Sequence, residues 1–205
     1  MNLLWLFVVG FVCSYLGSIP PGVINVSVLQ YGLHGHRSLG LRFGLAASLV
    51  EFVYAAATVR FHIFLTENTS FTEDFELVSG IVLTILGVAS LLSSNKAPSE
   101  KAVEESPRAF RKGLIIGVTN IMVIPFWLAV TAYLQSRSIV IIKGYDLFIY
   151  VAGISAGTFA LMASVAYLSN RFQKVVENRK TVNKIPGIVL LTMGLYSFYN
   201  WFMMP

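Results

Sequence analysis

Six long apolar segments, separated by short stretches that hold nearly all of the charged residues, dominate this sequence. About 17 to 25 apolar residues span a bilayer as an α-helix, so each segment is predicted to cross a membrane. Charged residues make up only 12% of the chain, whereas about a quarter is usual in a soluble domain. Residues 1–205 are therefore predicted to form a single membrane domain in contact with the lipid bilayer. The segments cover 3–33, 43–59, 77–93, 113–134, 147–169 and 185–204.

Lysine and arginine are unevenly divided among the loops. The first, third and fifth loops hold twelve of them and the second and fourth hold three. Because cytoplasmic loops carry the excess of basic residues, the odd loops are predicted to be cytoplasmic and both termini to lie outside. The net charge of +5 then belongs to these loops, and no nucleic-acid partner is expected. The three basic residues of the even loops are Arg60, Arg137 and Lys143.

The third loop, 94–109, has the composition of a flexible linker. It separates two half-repeats, 1–93 and 110–205, with three segments each. Because three is odd, the halves are inverted relative to each other. The predicted fold is an all-α membrane protein with six transmembrane helices in two inverted three-helix halves, whose first and fourth helices are broken at proline. Secondary transporters often have this architecture.

The stretch "GSIPPGVIN", 17–25, lies at the centre of the first apolar segment. Pro20 and Pro21 cannot donate backbone hydrogen bonds, so the carbonyls of Leu16 and Gly17 are expected to lose their helical partners. Helix can resume at Pro21, which suits a first helical position. The alternative interpretation is a kink that serves packing alone.

A restart at this point would leave the amides of Gly22, Val23 and Ile24 facing the break. The positive end of a half-helix suits a substrate carboxylate, and free carbonyls suit an ammonium group or a cation. This end of the predicted substrate site consists of Gly17, Pro20, Pro21, Gly22 and Asn25.

Glu51 is the only acidic residue in the middle of an apolar segment. A carboxylate inside a membrane costs roughly 3 kcal/mol on insertion scales, so such residues are usually functional. A stripe of small residues on the same face predicts contact with other helices, and Tyr54 could hydrogen-bond the acid. Glu51 is predicted to couple transport to protons, or to bind the substrate. The alternative is a protonated side chain that joins two helices. The stripe comprises Gly44, Ala47, Ser48, Ala55 and Thr58.

Pro125 is predicted to break the fourth segment and to free the carbonyl of Ile121. Asn120 precedes this break and Trp127 follows it. These three side chains, Asn120, Pro125 and Trp127, are further candidates for the substrate site, although Asn120 could equally join two helices.

Enzyme chemistry is not expected, and neither is a cofactor. His34, His36 and His62 lie at segment ends or in loops, away from any candidate nucleophile. Two histidines in the short stretch "HGHR" are weak grounds for a metal site. Cys13 is the only cysteine, which excludes a disulfide within the chain.

Several motifs resemble the amino-acid exporter family of the lysine exporter type (LysE/RhtB-like). The family's Pro-Gly motif and its following loop appear as "IPPGVIN" and "GHRSLG", and its fourth span begins as "FRKG" and reaches Asn120. Ile121 stands where the family usually has a proline, and "IPFW" follows. Glu51 matches an acid in the second span, although an Asp about two residues earlier is commoner.

This resemblance implies proton-driven export of amino acids or similar small metabolites from the bacterial cytoplasmic membrane, by a protein that forms dimers. The residues leave other functions open. Free carbonyls and Glu51 could make a cation or metal exporter of the same fold. A membrane subunit that transports nothing is the third interpretation.

Overall fold

The computed structural model describes residues 2–20, 22–67, 72–93, 108–177 and 184–203. These residues form nine helices and no strand. The linker 94–109 lies outside the described residues except for Arg108 and Ala109, and so does Pro21. The helices are α1 Leu3–Gly17, α2 Val23–Leu33, α3 Arg37–Glu67, α4 Thr72–Ser93, α5 Ala109–Thr119, α6 Val123–Ser136, α7 Asp146–Tyr167, α8 Ser169–Glu177 and α9 Lys184–Met203.

Two of the described helices are long and apolar enough to cross a membrane, at Arg37–Leu65 and Asp146–Tyr167. The pair α5 and α6, which is bent by 65° at its break, adds a third if it forms one span. The all-helical membrane fold is therefore confirmed at this level. The arrangement of six spans in two inverted halves stays a prediction.

The first apolar segment is interrupted near its centre, between α1 and α2. Gly22 is the N-cap of α2, so the helix resumes at Val23 and not at Pro21. The carbonyl of Leu16 accepts from the amide of Ile19 at 3.2 Å, and Gly22 donates to the carbonyl of Pro20 at 2.9 Å. Two of the backbone groups expected to be free therefore have partners within the turn.

The fourth segment is interrupted at 120–122, between α5 and α6, and Pro125 lies in the first turn of α6. A proline is tolerated there because its missing amide would have no helical partner in any case. The carbonyl of Ile121, expected to be free, accepts from the amide of Ile124 at 3.1 Å. A break at Pro125 itself is thus not confirmed.

Helix α3 has one face toward the other helices and one apolar face turned outward. The buried face carries the expected small stripe, with Ser48, Ala55 and Thr58 each less than 5% exposed. Leu49 and Val53 on the opposite side are largely exposed, as expected for side chains that contact lipid. The predicted contact of the small stripe with other helices is confirmed.

Glycines permit the closest approaches between helices. A methyl group added to Gly153 or Gly157 of α7 would overlap the backbone of Phe7 or Phe11 on α1. One added to Gly113 of α5 would overlap the backbone of Phe43 on α3. Helix α1 therefore lies directly along α7, and α5 along α3.

Helices α4 and α9 form a second close pair, in which Gly80 approaches the backbone of Gly194 and Gly87 that of Gly187. This pair contacts the remaining helices through α6. Helix α8 is an amphipathic helix within the fifth loop, where no helix was predicted. Phe172 of α8 packs against an apolar cluster around α2, so this loop contacts the interrupted first segment. The cluster around α2 comprises Val28, Leu29, Tyr31, Phe43, Ala109, Leu161, Met162, Val165 and Ala166.

Candidate functional site

The carboxyl group of Glu51 is the centre of a polar cluster that joins three helices. Trp127 of α6 donates through Nε1 to Oε1 at 2.9 Å, and Thr158 of α7 donates through Oγ1 to Oε2 at 2.7 Å. Both donors are uncharged. Trp127 is fully buried and makes edge contacts with Phe126 and Tyr150, which hold its ring in place.

A second hydroxyl extends this cluster to the interrupted first segment. Ser14 Oγ lies 2.5 Å from Thr158 Oγ1, and Ser14 is 1% exposed. The close packing of α1 on Gly153 and Gly157 of α7 permits this contact. Ser14, Thr158, Glu51 and Trp127 therefore form a continuous hydrogen-bonded chain across α1, α7, α3 and α6, which we call the polar chain.

Asn25 braces the break between α1 and α2. Its Nδ2 donates to the carbonyl of Ser18 at 2.5 Å and to that of Pro20 at 2.9 Å. An unpaired carbonyl away from water costs about 1–3 kcal/mol, so the side chain replaces bonds that the break removes. The amide group of Asn25 is thus engaged with the backbone, and its Oδ1 is the atom left for a ligand.

Two aromatic residues next to the polar chain in sequence or space contact the ends of the helices that lead into the two breaks. The ring of Phe126, next to Trp127, lies where a side chain on Gly17 would be. Tyr54 donates to the carbonyl of Val118, at the end of α5, at 2.7 Å. Tyr54 therefore bonds to the last turn of α5, just before the second break, and not to Glu51 as was suggested.

Some of the predicted site residues lie close together and others do not. Glu51 and Trp127 are in direct contact, and Gly17 packs against Phe126, the neighbour of Trp127. Gly22 borders open space, since an added methyl group would have no neighbour within 4 Å. Asn120 is the C-cap of α5, and its backbone N–H donates to the carbonyl of Gly117 at 3.0 Å. Pro125 lies in the first turn of α6, and Pro21 is outside the described residues.

The backbone at the first break leaves fewer free amides than expected. The amide of Gly22 donates to Pro20, and Gly22 has no side chain to cap α2. The amides of Val23 and Ile24 have no partner within the helix, as is general for a first turn. They remain the candidates for contact with an anionic group.

Comparison with known proteins identifies the family of this chain. The family model described as "LysE type translocator" matches residues 15–200. The chain belongs to the LysE type translocator family. This match includes both breaks and all of the polar chain except Ser14, which lies one residue before it.

This LysE type translocator is also similar to a curated relative, the "Putative amino acid efflux protein YcgF" of Bacillus subtilis (strain 168). The two are 23% identical over 189 residues, which cover 89% of this chain and 90% of the relative. No solved structure matches the chain. The family and the apolar helices together make the protein a multi-pass membrane transport protein.

Sequence reasoning missed two members of the polar chain in this LysE type translocator, Ser14 and Thr158. Each is a hydroxyl residue in an apolar segment, a pattern that often reflects a bond to the helix's own backbone. Thr158 follows Gly157, which packs directly on the backbone of α1. A hydroxyl next to a close-packing glycine was the available signal, because it lies where two helices nearly touch.

Proposed function

We propose that this protein exports amino acids or similar small metabolites from the cytoplasm and that Glu51 couples the transport to protons. The single observation that carries the proposal is the placement of Glu51. Its carboxyl group lies inside the helix bundle, is held by two uncharged donors and joins helices from both halves of the chain. Family membership supports transport, and the name of the Bacillus relative supports amino acid efflux.

A carboxyl group with neutral partners suits proton coupling for a physical reason. A carboxylate paired with Lys or Arg would be held in its charged form, whereas neutral donors allow it both to bind and to release a proton. Trp127 and Thr158 can bond either form of the acid, since the indole donates to Oε1 in both and the hydroxyl of Thr158 can donate to the carboxylate or accept from the protonated acid. The carboxyl group of Glu51 can therefore gain or lose a proton while both hydrogen bonds keep it in place.

The substrate is proposed to lie between the first break and Glu51. The amides of Val23 and Ile24 would contact its carboxylate, and Oδ1 of Asn25 would accept from its ammonium group. Glu51 would bind a proton or that ammonium group, and competition between the two would couple export to proton entry. The side chains assigned to the substrate are Asn25, Tyr54, Asn120 and Trp127, together with the backbone of Gly17, Pro20, Pro21, Gly22 and Pro125.

The pairing of helices supports an inverted repeat. Helix α1 packs on α7 and α2 contacts both α7 and α3, while the interrupted pair α5 and α6 packs on α3. The third helices of the two halves, α4 and α9, pack on each other. A two-fold relation between halves would produce this exchange of partners. The proposed substrate position would then lie near the midplane of the membrane.

Efflux of labelled amino acids tests the proposal. Cells that lack amino acid exporters are loaded with individual labelled amino acids, and release is compared with and without the protein and with and without a protonophore. Release that needs both the protein and the proton gradient is expected for at least one amino acid. Release of none of them, together with a selective gain in metal tolerance, would instead favour a cation exporter.

Glu51→Gln is the matched variant, because it keeps the size and hydrogen bonding of the side chain but cannot ionise. We expect it to insert and fold normally, to lose proton-driven net efflux, and to keep exchange of substrate across the membrane. Normal net efflux with an unchanged pH profile would show that Glu51 serves packing. Membrane insertion is checked by protein level and thermal unfolding in detergent.

A further inference from the structure

We infer that Ser14 and Thr158 are positioning residues that transmit the protonation of Glu51 to the break in the first segment. This inference rests on the proposed proton-coupling role of Glu51. The structural basis is the polar chain, in which the only side chain between Glu51 and Ser14 is Thr158, and in which Ser14 lies one turn before the end of α1.

The ionised form of Glu51 fixes the direction of every hydrogen bond in the polar chain. A carboxylate only accepts, so Thr158 must give its single hydroxyl proton to Oε2. Thr158 Oγ1 can then bond Ser14 only as an acceptor, and the Ser14 hydroxyl must donate to it. The proton of Ser14 therefore points away from its own helix, toward α7.

Protonation of Glu51 reverses this direction. The indole of Trp127 is only a donor and bonds best to the carbonyl oxygen of the acid, so Oε1 is expected to stay that oxygen and Oε2 to take the added proton. Oε2 then donates to Thr158, and Thr158 turns its own proton toward Ser14. The hydroxyl of Ser14 must now donate elsewhere, and in a helix the carbonyl four residues earlier, that of Gly10, is the usual acceptor.

Ser14 is directly connected to the break. Its carbonyl accepts from the amide of Ser18, the C-cap of α1, at 2.9 Å. The carbonyl of Ser18 in turn accepts from Asn25 at the start of α2. A change in the hydrogen bonding of Ser14 thus acts on the last turn of α1, from which the chain leaves for the proposed substrate site. We expect the break to be more open in one protonation state than in the other.

Other titratable groups on the neighbouring helices are distinguishable from Glu51 by mutation. The apolar cluster around Trp127 includes Cys13 of α1, Tyr133 of α6 and Tyr150 of α7. Any pH dependence that arises from these groups, or from charges at the helix ends, survives Glu51→Gln. The other titratable residues on or beside these helices, among those whose side chains the structure describes, include Tyr15, Tyr31, His34, His36, Arg37, Arg42, Tyr54, Arg60, His62, Arg108, Arg111, Lys112, Arg137, Lys143, Tyr145, Asp146 and Tyr167.

Accessibility of Ile19 reports on the break. Ile19 lies within the interruption and is partly buried against the apolar cluster around α2. A single cysteine is placed there by Ile19→Cys in a Cys13→Ala background, and its rate of labelling by a membrane-permeant maleimide is measured in purified full-length protein across the pH range of transport. Each rate is divided by that of an exposed reference, Ser38→Cys, which removes the general effect of pH on the reaction of a thiol with maleimide.

The normalised rate is expected to change with pH by about five-fold, the effect of one hydrogen bond worth about 1 kcal/mol. Glu51→Gln, which bonds like the protonated acid, should remove this dependence. Thr158→Val and Ser14→Ala should also remove it, and Thr158→Ser should keep it. Ser155→Ala is the matched control, because Ser155 also joins α7 to α3 but donates to the carbonyl of Ser48 and not to Glu51.

Retention of the full pH dependence in Thr158→Val or Ser14→Ala would overturn the inference, as would labelling of Ile19→Cys that does not depend on pH. Equal loss in Ser155→Ala would also overturn it, since the effect would then come from helix packing. The proposed function fails separately, if Glu51→Gln keeps proton-driven efflux. Efflux that requires Glu51 but is unchanged in Thr158→Val would support the proposed function and contradict the inference.

Discussion

Trp127 donates its indole proton to one oxygen of Glu51, and this bond joins the second interrupted segment to the long helix α3. The indole approaches from a fully buried position, where its ring is packed against Phe126 and Tyr150. Phe126 in turn covers Gly17, at the end of α1. A single aromatic pair therefore links Glu51 to both breaks.

Replacement of Trp127 by Phe tests the strength of that bond. The variant removes the donor but keeps an aromatic ring, and we expect lower thermal stability. In a double-mutant cycle with Glu51→Ala, the two effects should be non-additive by about 0.5–3 kcal/mol, because the residues are in contact. Thermal unfolding in detergent measures the cycle, and additive effects would contradict the bond.

Asn25→Leu is predicted to destabilise the first break. The variant keeps the approximate size of the side chain but leaves the carbonyl of Ser18 without its donor, at a cost of about 1–3 kcal/mol. The unfolding temperature should fall, and efflux should fall with it. Ser27→Ala on the same helix is the control, since Ser27 donates only to the carbonyl of Val23 within α2.

Gly157→Ala is predicted to force α1 away from α7. The added methyl group would overlap the carbonyl of Phe11, and overpacking of this kind costs about 1–3 kcal/mol. Because Thr158 is the next residue, loss of its contact with Ser14 should accompany the loss of stability. Gly22→Ala, where the methyl group meets open space and only the N-cap preference for glycine is lost, should lower the unfolding temperature less. Equal effects of the two variants would contradict the packing.

Replacement of both Pro20 and Pro21 by Ala is predicted to restore helix across the first break. Thermal stability should stay the same or improve, while efflux is lost because the amides at the start of α2 become bonded within the helix. Expression, unfolding temperature and efflux are measured together. If stability falls along with efflux, the break is a structural kink.

The orientation of the chain is predicted to place the third loop in the cytoplasm and Pro205 outside. An impermeant thiol reagent should not label Ser99→Cys in intact cells, in a background where Cys13 is replaced, but should label it after the membrane is opened. The physical reason is the excess of basic residues in the odd loops. Ready labelling in intact cells would reverse the assignment.

The sequence by itself determined the helical membrane character and the interruption of the first segment near its centre, and it singled out Glu51, whose role stays a prediction. Each follows from local chemistry: apolar length sets a span, adjacent prolines remove helical bonds, and an acid in an apolar segment is too costly to be incidental. The family resemblance, carried by motifs around the breaks and Glu51, was confirmed by the family match.

Tertiary structure alone decided which groups bond to which. The sequence could not show that Asn25 would occupy the carbonyls of the first break, or that Tyr54 would bond Val118 and leave Glu51 to Trp127 and Thr158. It placed the second break at Pro125, whereas the chain turns at 120–122 and uses the proline within the next helix. Such choices depend on how closely the helices approach. Glycines on α7 bring Ser14 within hydrogen-bonding distance of Thr158, which are 144 residues apart in the chain.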